Sequence, residues 1–236
     1  MRPQTLTVPK SMLVVAGRPF VDWQLERLAA CGLRDVVLCV AHLGEVIRAH
    51  VGDGARFGVR VAYSQEGPEL LGTAGALRAA LPLMHESFLV TYGDSYLPFD
   101  YAEPLALLGA HDDCDGVMAV FKNQGRWDKS NVELRPGRPG DGPANAVDGG
   151  AWVLRYDKTA GDDPALDHID YGATAVRREV IASLPEGKPL GFDAVQKSLA
   201  ASKRLRACVA RERFFEIGSP EGLAELDQHL RTRASS

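Results

Sequence analysis

The sequence lacks the patterns that mark several large classes of protein. Its four cysteines form no CxxC pair, and its six histidines show no HxxxH or HExxH spacing, so a zinc site is not indicated. No apolar run approaches the ~18 residues of a membrane span, and no signal-peptide hydrophobic region follows Met1. We therefore predict a soluble cytoplasmic protein in a reducing compartment, without a membrane partner.

An excess of positive charge is also absent. Lysine and arginine total 27 against 31 aspartates and glutamates, which gives a net charge of −4 and argues against a nucleic-acid partner. The longest basic cluster, residues 203–206, predicts a solvated helix end. The 236 residues are 45% hydrophobic and 25% charged, which is typical of a globular domain.

Helical and strand patterns alternate along the chain from residue 20 onward. This alternation predicts an α/β fold with a Rossmann-like, mostly parallel sheet flanked by helices, in a single domain over residues 1–236. Residues 135–150, rich in glycine, proline and aspartate, predict a mobile hairpin loop. The predicted helices are 20–31, 43–51, 74–81, 101–110, 192–201 and 220–230, and the predicted strands are 35–40, 59–63, 87–92, 116–120, 151–156 and 170–176.

The most informative stretch is residues 65–77, which joins a strand end to a helix through a polar, glycine-containing turn. Gly72 and Gly75 would let a base or phosphate approach the backbone, and the first helical turn would offer free N–H groups. The alternative is an ordinary strand-to-helix connection. We therefore interpret this turn as a candidate nucleotide site.

Two acidic residues occupy positions suited to a cation. Asp94 follows an apolar strand at its carboxyl end, where open parallel sheets bind ligands, and a carboxylate there suits magnesium. Glu216 lies between apolar residues just before a helix that starts at Pro220, and a metal shared with Asp94 would compensate its burial. The alternatives are a turn aspartate that caps the following segment and a partly exposed edge-strand glutamate.

Two lysines end apolar segments. Lys10 and Lys158 on one cleft would suit a substrate with several phosphates, although either alone is typical of a surface lysine. Residues 126–132 supply donors, acceptors and the aromatic face of Trp127, the set that reads sugar hydroxyls. A polar loop with one packed tryptophan is the alternative.

Taken together, the motifs resemble the sugar-1-phosphate nucleotidylyltransferases, over essentially the whole chain and in the right order. The resemblance rests on PKSM at 9–12, QE at 65–66, LGTAGAL at 71–77, YGD at 92–94, RWDKSNVE at 126–133, YDK at 156–158, DYG at 170–172 and EIGSPEGL at 216–223.

The resemblance implies a reaction and a set of roles. A sugar-1-phosphate oxygen would attack the α-phosphorus of a nucleoside triphosphate and release pyrophosphate, with Mg²⁺ present. Residues 1–120 would form the nucleotide-binding part and residues 121–236 the sugar-binding part. The implied catalytic residues are Lys10, Asp94 and Lys158, and the implied metal ligands are Asp94 and Glu216, where the family usually has aspartate at the second. The residues implied for the nucleotide are Gln65, Leu71, Gly72 and Thr73. Those implied for the sugar are Asn131, Asp157, Tyr171 and Gly172.

One family feature is not found in the sequence. The family usually begins with an apolar strand and a GGxGTR loop that holds the triphosphate, whereas this sequence starts at what resembles the segment after that loop. We therefore expect a fold that lacks the first strand and loop. There are three explanations: a misassigned start, a truncated chain and a degenerate paralogue. We favour a misassigned start because the other motifs look intact. If the chain is complete, we expect weak or no transfer activity.

Two other functions remain alternatives. One is a regulator that binds nucleotide or sugar without catalysis, and the other is a glycosyltransferase that consumes a nucleotide sugar. The lysines favour the nucleotidylyltransferase, because a triphosphate plus a sugar phosphate needs more cations than a finished nucleotide sugar does. The base, the sugar and homo-oligomer formation are left open.

Overall fold

A computed structural model of the chain describes residues 8–67, 69–123, 125–135, 151–160 and 163–234. The chain divides into two compact units, the first formed by Met1–Leu70, Tyr92–Pro98 and Phe214–Ser236, and the second by Leu71–Thr91 and Phe99–Arg213. The predicted functional division at residue 120 lies inside the second unit and stays a prediction.

The described helices and strands alternate over most of the chain, as the α/β prediction requires. The helices are α1 (Phe20–Ala30), α2 (Gly44–Val51), α3 (Gly72–Ala80), α4 (Glu103–Ala110), α5 (Arg178–Ala182), α6 (Phe192–Ala201) and α7 (Pro220–Ala234). The strands are β1 (Val14–Val15), β2 (Arg18–Pro19), β3 (Asp35–Val40), β4 (Arg60–Gln65), β5 (Ser87–Thr91), β6 (Ser95–Tyr96), β7 (Gly116–Lys122), β8 (Val132–Arg135), β9 (Trp152–Tyr156), β10 (His168–Arg177), β11 (Leu205–Ala210) and β12 (Phe215–Glu216).

The first unit contains three two-stranded sheets. Strands β3 and β4 pair in parallel along their full lengths, from Asp35 opposite Arg60 to Val40 opposite Gln65. Strands β1 and β2 form an antiparallel hairpin, and β12 pairs antiparallel with β6. One apolar cluster holds α1 against the segment around Phe57, and a second holds α7 against the short strands.

The second unit is built on one six-stranded sheet in the order β5-β10-β7-β11-β9-β8. Strand β7 runs through its centre, and residues 117–120 of this strand are fully buried, as a central strand requires. Helices α3 and α6 contribute Leu77, Val195 and Leu199 to the main core beside this sheet.

The sheets are mixed, so the prediction of a mostly parallel sheet needs correction. Among the described strands, only β3–β4 and β7–β11 pair in parallel, and all other pairs are antiparallel. The helix-strand alternation stops after β7, and no described helix separates β8, β9 and β10. Strands joined without a crossover helix pair antiparallel, which the alternation earlier in the chain did not indicate.

The basic cluster at 203–206 is not a solvated helix end, which corrects a second prediction. Lys203 lies in a turn with φ of +58°, and β11 begins at Leu205 inside the sheet. Arg206 is only 2% exposed, because its guanidinium bonds the Asp113 carboxylate and stacks on Trp152 at 4.4 Å. A guanidinium that is paired with a carboxylate and stacked on an aromatic ring tolerates burial. The run of charged residues in the sequence therefore did not indicate a strand at this position.

Most of the predicted hairpin loop at 135–150 lies outside the described residues, since β8 ends at Arg135 and the description resumes at Ala151. In the described parts of the chain, no helix combines the length and the apolar character needed to cross a membrane.

Candidate functional site

The predicted site residues are divided between the two units. The first unit contains Lys10, Gln65, Asp94 and Glu216, and the second contains Leu71, Gly72, Thr73, Asn131, Asp157, Lys158, Tyr171 and Gly172.

Lys10 and Asp94 are brought together in the first unit. The Lys10 Nζ lies 3.3 Å from Asp94 Oδ2, and the two side chains are 48% and 36% exposed. An ion pair this exposed contributes little to stability because water competes for both charges. The pair therefore presents an accessible cation and an accessible acid at one place.

The second predicted acid lies on the neighbouring chain segment. Glu216 on β12 is opposite Ser95, and the backbone N–H of Ile217 donates to the Asp94 carbonyl at 3.0 Å. The Glu216 side chain is exposed. In the described residues, no group of three or more His, Cys, Asp or Glu could hold a metal ion. Two carboxylates suffice for magnesium, however, because it usually takes one or two together with substrate phosphates and water.

Gln24 supports the turn that carries Asp94, a role that sequence patterns did not indicate. Its side-chain amide donates to the carbonyls of Tyr92 at 2.8 Å and Ser95 at 3.0 Å. The two bonds hold the turn on both sides of Asp94. A glutamine on a predicted helix is unremarkable in sequence, so only the tertiary contact identifies it.

Gln65 lies at the carboxyl end of the parallel pair β3–β4. Its Nε2 donates to the carbonyls of Ala41 at 3.2 Å and Glu66 at 3.3 Å, while the side chain stays exposed. The amide is therefore oriented by its own loop at the strand end where ligands of parallel sheets bind.

The glycine turn packs against backbone of the second unit. Gly72 has φ of +66°, and a Cβ there would lie 2.7 Å from the Leu190 carbonyl oxygen. The same oxygen accepts the N–H of Ala74 at 2.9 Å, and the Leu190 N–H donates to the Leu71 carbonyl at 2.8 Å. At Gly72 the chain's own backbone therefore fills the space that a Cβ would take, and the nucleotide role of this glycine stays a prediction. The Ala74 N–H of the first helical turn is also taken.

Asn131 connects three strands of the second unit. Its N–H donates to the His168 carbonyl at 2.9 Å, and its carbonyl accepts the N–H of Asp157 at 2.9 Å. Its side-chain Oδ1 accepts the N–H of Asp170 at 2.9 Å. Two predicted sugar residues, Asn131 and Asp157, are therefore adjacent, and Asn131 also bonds the backbone of Asp170.

Asp157 and Lys158 follow β9 at the end of the same sheet. Asp157 Oδ1 accepts both the N–H and the hydroxyl of Thr159, at 2.9 and 2.7 Å, and these bonds lower the pKa of the carboxyl group. Lys158 is exposed, with its Nζ 5.8 Å from the centroid of the Tyr156 ring. An anionic carboxylate and a cation thus stand side by side on an accessible surface.

Tyr171 and Gly172 lie at a bulge in β10, where the pairing with β7 shifts between Asp170 and Thr174. Gly172 has φ of +92°, which favours glycine, and its N–H donates to Asp170 Oδ1 at 3.0 Å. Tyr171 is 1% exposed and packs edge-on against Phe99 at 5.1 Å. The tyrosine ring is therefore part of the core, while the bulge itself carries the polar groups.

Asp170 is the centre of this polar cluster. Besides the Gly172 N–H, its carboxylate accepts the Tyr156 hydroxyl at 3.0 Å and the Gln196 amide at 3.2 Å, both on Oδ2. Asp170 belongs to the DYG motif of the sequence and could have been selected on that signal. Gln196 lies on α6 outside any motif and is found only through its contacts.

The architecture matches the nucleotide-diphospho-sugar transferase fold. The solved structure of a UDP-glucose pyrophosphorylase complexed with UDP-glucose superimposes with a TM-score of 0.74 over 99% of this chain and 94% of that one, at 14% identity. At this identity the likeness defines the fold alone.

The sequence pattern of the nucleotidyl transferase family matches residues 1–130, so the chain belongs to that family and the resemblance is confirmed. An N-acetylmuramate α-1-phosphate uridylyltransferase of Neisseria meningitidis is 44% identical over 43% of this chain. A mannose-1-phosphate guanylyltransferase of Mycobacterium tuberculosis is 31% identical over 82% of this chain. The alignments cover 44% and 50% of those proteins, so this chain spans about half the length of the curated relatives it matches.

Proposed function

We propose that this protein transfers a nucleotidyl group from a nucleoside triphosphate to a sugar-1-phosphate, giving a nucleotide-diphosphate sugar and pyrophosphate. The observation that carries the proposal is the accessible Lys10–Asp94 pair with Glu216 on the adjacent segment. The activities named for the relatives, uridylyl and guanylyl transfer to sugar-1-phosphates, support the same reaction class.

The reaction needs positioning and charge more than covalent help from the protein. An oxygen of the sugar-1-phosphate bonds to the α-phosphorus, and the bond from that phosphorus to the bridging oxygen of pyrophosphate breaks with the electron pair leaving on pyrophosphate. In such displacements, fixed cations stabilise the charge that spreads over the phosphate oxygens. Lys10 in the first unit and Lys158 in the second are the cations assigned to this role.

The acidic residues of the first unit fit a magnesium ion. Asp94 and Glu216 would hold it, and when bound it would neutralise phosphate charge beside Lys10. The turn that carries Asp94 is held by Gln24, which bonds the backbone on both sides of this residue. We include Mg²⁺ as the cofactor of the proposed reaction.

The remaining predicted residues divide between the two substrates. Gln65, Leu71, Gly72 and Thr73 are assigned to the nucleotide, and Asn131, Asp157, Tyr171 and Gly172 to the sugar. For Gly72 and Tyr171 the assignment is to the backbone, because Gly72 has no side chain and the Tyr171 ring is buried. We place the reaction in the cytoplasm, a reducing compartment that suits the four free cysteines of the chain.

A pyrophosphate-release assay tests the proposal. Purified chain is incubated with Mg²⁺, each of UTP, GTP, dTTP, CTP and ATP, and each of mannose-, glucose- and N-acetylmuramic acid-1-phosphate. We expect release that requires both substrates and one preferred pair. Release from a triphosphate alone, or none with any pair while a full-length relative is active in parallel, would rule the function out for this chain. Transfer of sugar from a nucleotide sugar to an acceptor would replace it by glycosyl transfer.

A further inference from the structure

A glutamine in the second unit bridges the two sides of the β10 bulge. Gln196 on α6 is 1% exposed, and its Nε2 donates to Asp170 Oδ2 at 3.2 Å and to Thr174 Oγ1 at 3.0 Å. The pairing of β10 with β7 is interrupted between these same two residues. The glutamine therefore links the side chains of the two residues that flank the bulge.

We propose that Gln196 is a positioning residue for sugar recognition: it fixes the bulge at Asp170–Gly172 so that the Asp170 carboxylate can accept a hydroxyl of the sugar phosphate. The proposal rests on the proposed function for its substrate. Gln196 itself does not touch the substrate and acts through Asp170.

The hydrogen bonds of Asp170 leave capacity for such a hydroxyl. A carboxylate has about four acceptor positions. Within the described chain, Oδ2 accepts two bonds, from Tyr156 and Gln196, and Oδ1 accepts one, from the Gly172 N–H. One acceptor position on Oδ1 therefore remains, and the three donors hold the carboxylate in a single orientation.

Asn131 supplies the complementary group. Its Oδ1 is used by the Asp170 N–H at 2.9 Å, and its NH₂ group makes no bond to the described residues. Within the described residues, Asn131 thus keeps unused amide donors, and Asp170, to whose N–H it is bonded, keeps an acceptor position. This combination suits adjacent hydroxyls of a sugar ring, one of which donates to Asp170 while the other accepts from Asn131.

The surroundings of Gln196 argue against a purely structural role. The Oε1 atom is buried and has no hydrogen-bond partner in the parts of the chain that are described. Its helix neighbours Phe192, Val195 and Leu199 belong to the apolar core, where a methionine would fit without this cost. An amide at this position is therefore explained by its donor group, which is directed at Asp170.

Two substitutions and one control test the proposal. Gln196→Met keeps the length of the side chain but removes the donor, and Gln196→Glu places a second carboxylate against Asp170. Val195→Ala, one residue earlier on α6, removes core packing without touching the bulge. Each variant is compared with the unaltered protein by hydrogen exchange of the Gly172 amide and by the KM values for the sugar phosphate and the triphosphate.

We expect Gln196→Met to raise both the Gly172 exchange rate and the KM for the sugar phosphate about tenfold, with the KM for the triphosphate unchanged. In Gln196→Glu the same KM should also rise, because two carboxylates then face each other at the bulge. Val195→Ala should lower the melting temperature and change neither the exchange rate nor the KM values.

Each other outcome is decisive. Unchanged Gly172 exchange in Gln196→Met overturns the positioning role whether or not the protein is active. Faster exchange with an unchanged KM for the sugar phosphate overturns the link to recognition. If the unaltered protein releases no pyrophosphate, the proposed function fails, and titration calorimetry with mannose-1-phosphate and N-acetylmuramic acid-1-phosphate then decides: weaker binding in Gln196→Met supports the role, and equal binding or none overturns it.

Discussion

The ammonium group of Lys10 lies 3.3 Å from the carboxylate of Asp94, although 84 positions separate the two residues in the chain. Both side chains are accessible, so a bound phosphate and a bound cation can each take one member of the pair. The contact therefore brings an accessible ammonium group and an accessible carboxylate within hydrogen-bond distance of each other.

Removal of the Lys10 cation should weaken catalysis. We expect Lys10→Ala to reduce kcat/KM by about 10²-fold, because one charge that stabilises the phosphate oxygens is lost. Steady-state pyrophosphate release measures the effect. Lys188→Ala removes an exposed lysine outside the site and should leave the rate unchanged. Equal rates for both variants would exclude Lys10 from the machinery.

The two acids of the first unit should set the affinity for a divalent cation. We expect Asp94→Asn and Glu216→Gln each to weaken Mn²⁺ binding about tenfold or more, because each removes one anionic ligand. Electron paramagnetic resonance of free Mn²⁺ measures this without reference to activity. Glu45→Gln, an exposed acid on α2, is the control. An effect of Asp94→Asn alone would remove Glu216 from the ligand set.

The backbone contact at Gly72 should make this position intolerant of a side chain. Gly72→Ala forces φ of +66° on a residue with a Cβ and drives that Cβ into the Leu190 carbonyl. We expect a loss of about 1–3 kcal/mol in the free energy of unfolding, measured by urea denaturation. Gly109→Ala in α4 meets open space and should be neutral or stabilising by up to ~1 kcal/mol. Similar stabilities for the two variants would contradict the packing described for this turn.

Ion pairs at the start of β7 and β11 should make the second unit sensitive to acid. The Arg204 guanidinium lowers the pKa of Asp115, and Arg206 lowers that of Asp113. A lowered pKa in the folded state stabilises the protein above the ordinary value of about 4, and this contribution is lost as the pH falls through the folded value. Asp115→Asn should therefore destabilise the protein at pH 7, and the difference should shrink as the pH falls below about 4.

Urea denaturation at pH 7, 5, 4 and 3 checks that expectation. Asp112→Asn, which removes a fully exposed carboxylate from the same loop, should follow the unaltered protein at every pH. A constant deficit for Asp115→Asn from pH 7 to pH 3 would show that packing, not charge, is responsible.

Local patterns in the sequence predicted most single elements. Helix α6 begins at Phe192 and ends at Ala201, and β3 spans Asp35 to Val40, both as predicted, because apolar periodicity and flanking turns define them. Strand β11 was missed because Arg206, the residue that looked solvated, is neutralised by Asp113 from a distant loop. Pairing direction was missed because it depends on which strands meet, and local periodicity carries no such information.

The candidate site could be predicted where its residues belong to sequence motifs. Lys10 and Asp94 were expected to serve one site and do lie together. The backbone contact at Gly72 was not predicted, since a glycine that admits a ligand and a glycine that packs against its own backbone look alike in sequence. The roles of Gln24 and Gln196 could not be predicted from the sequence, because each side chain bonds residues on other elements.

The strand order of the second unit also determines when its sheet can form during synthesis. Strand β7 lies between β10 and β11, both of which follow it in the chain. Until Leu205–Ala210 has left the ribosome, the apolar residues of β7 have no neighbour on one side, and the sheet cannot close. Such long-range pairing slows folding, and until it is complete the unpaired strand edges stay exposed and prone to aggregation. We therefore expect the nascent chain to bind chaperones. The yield of folded protein in a foreign host should depend on how much chaperone is present.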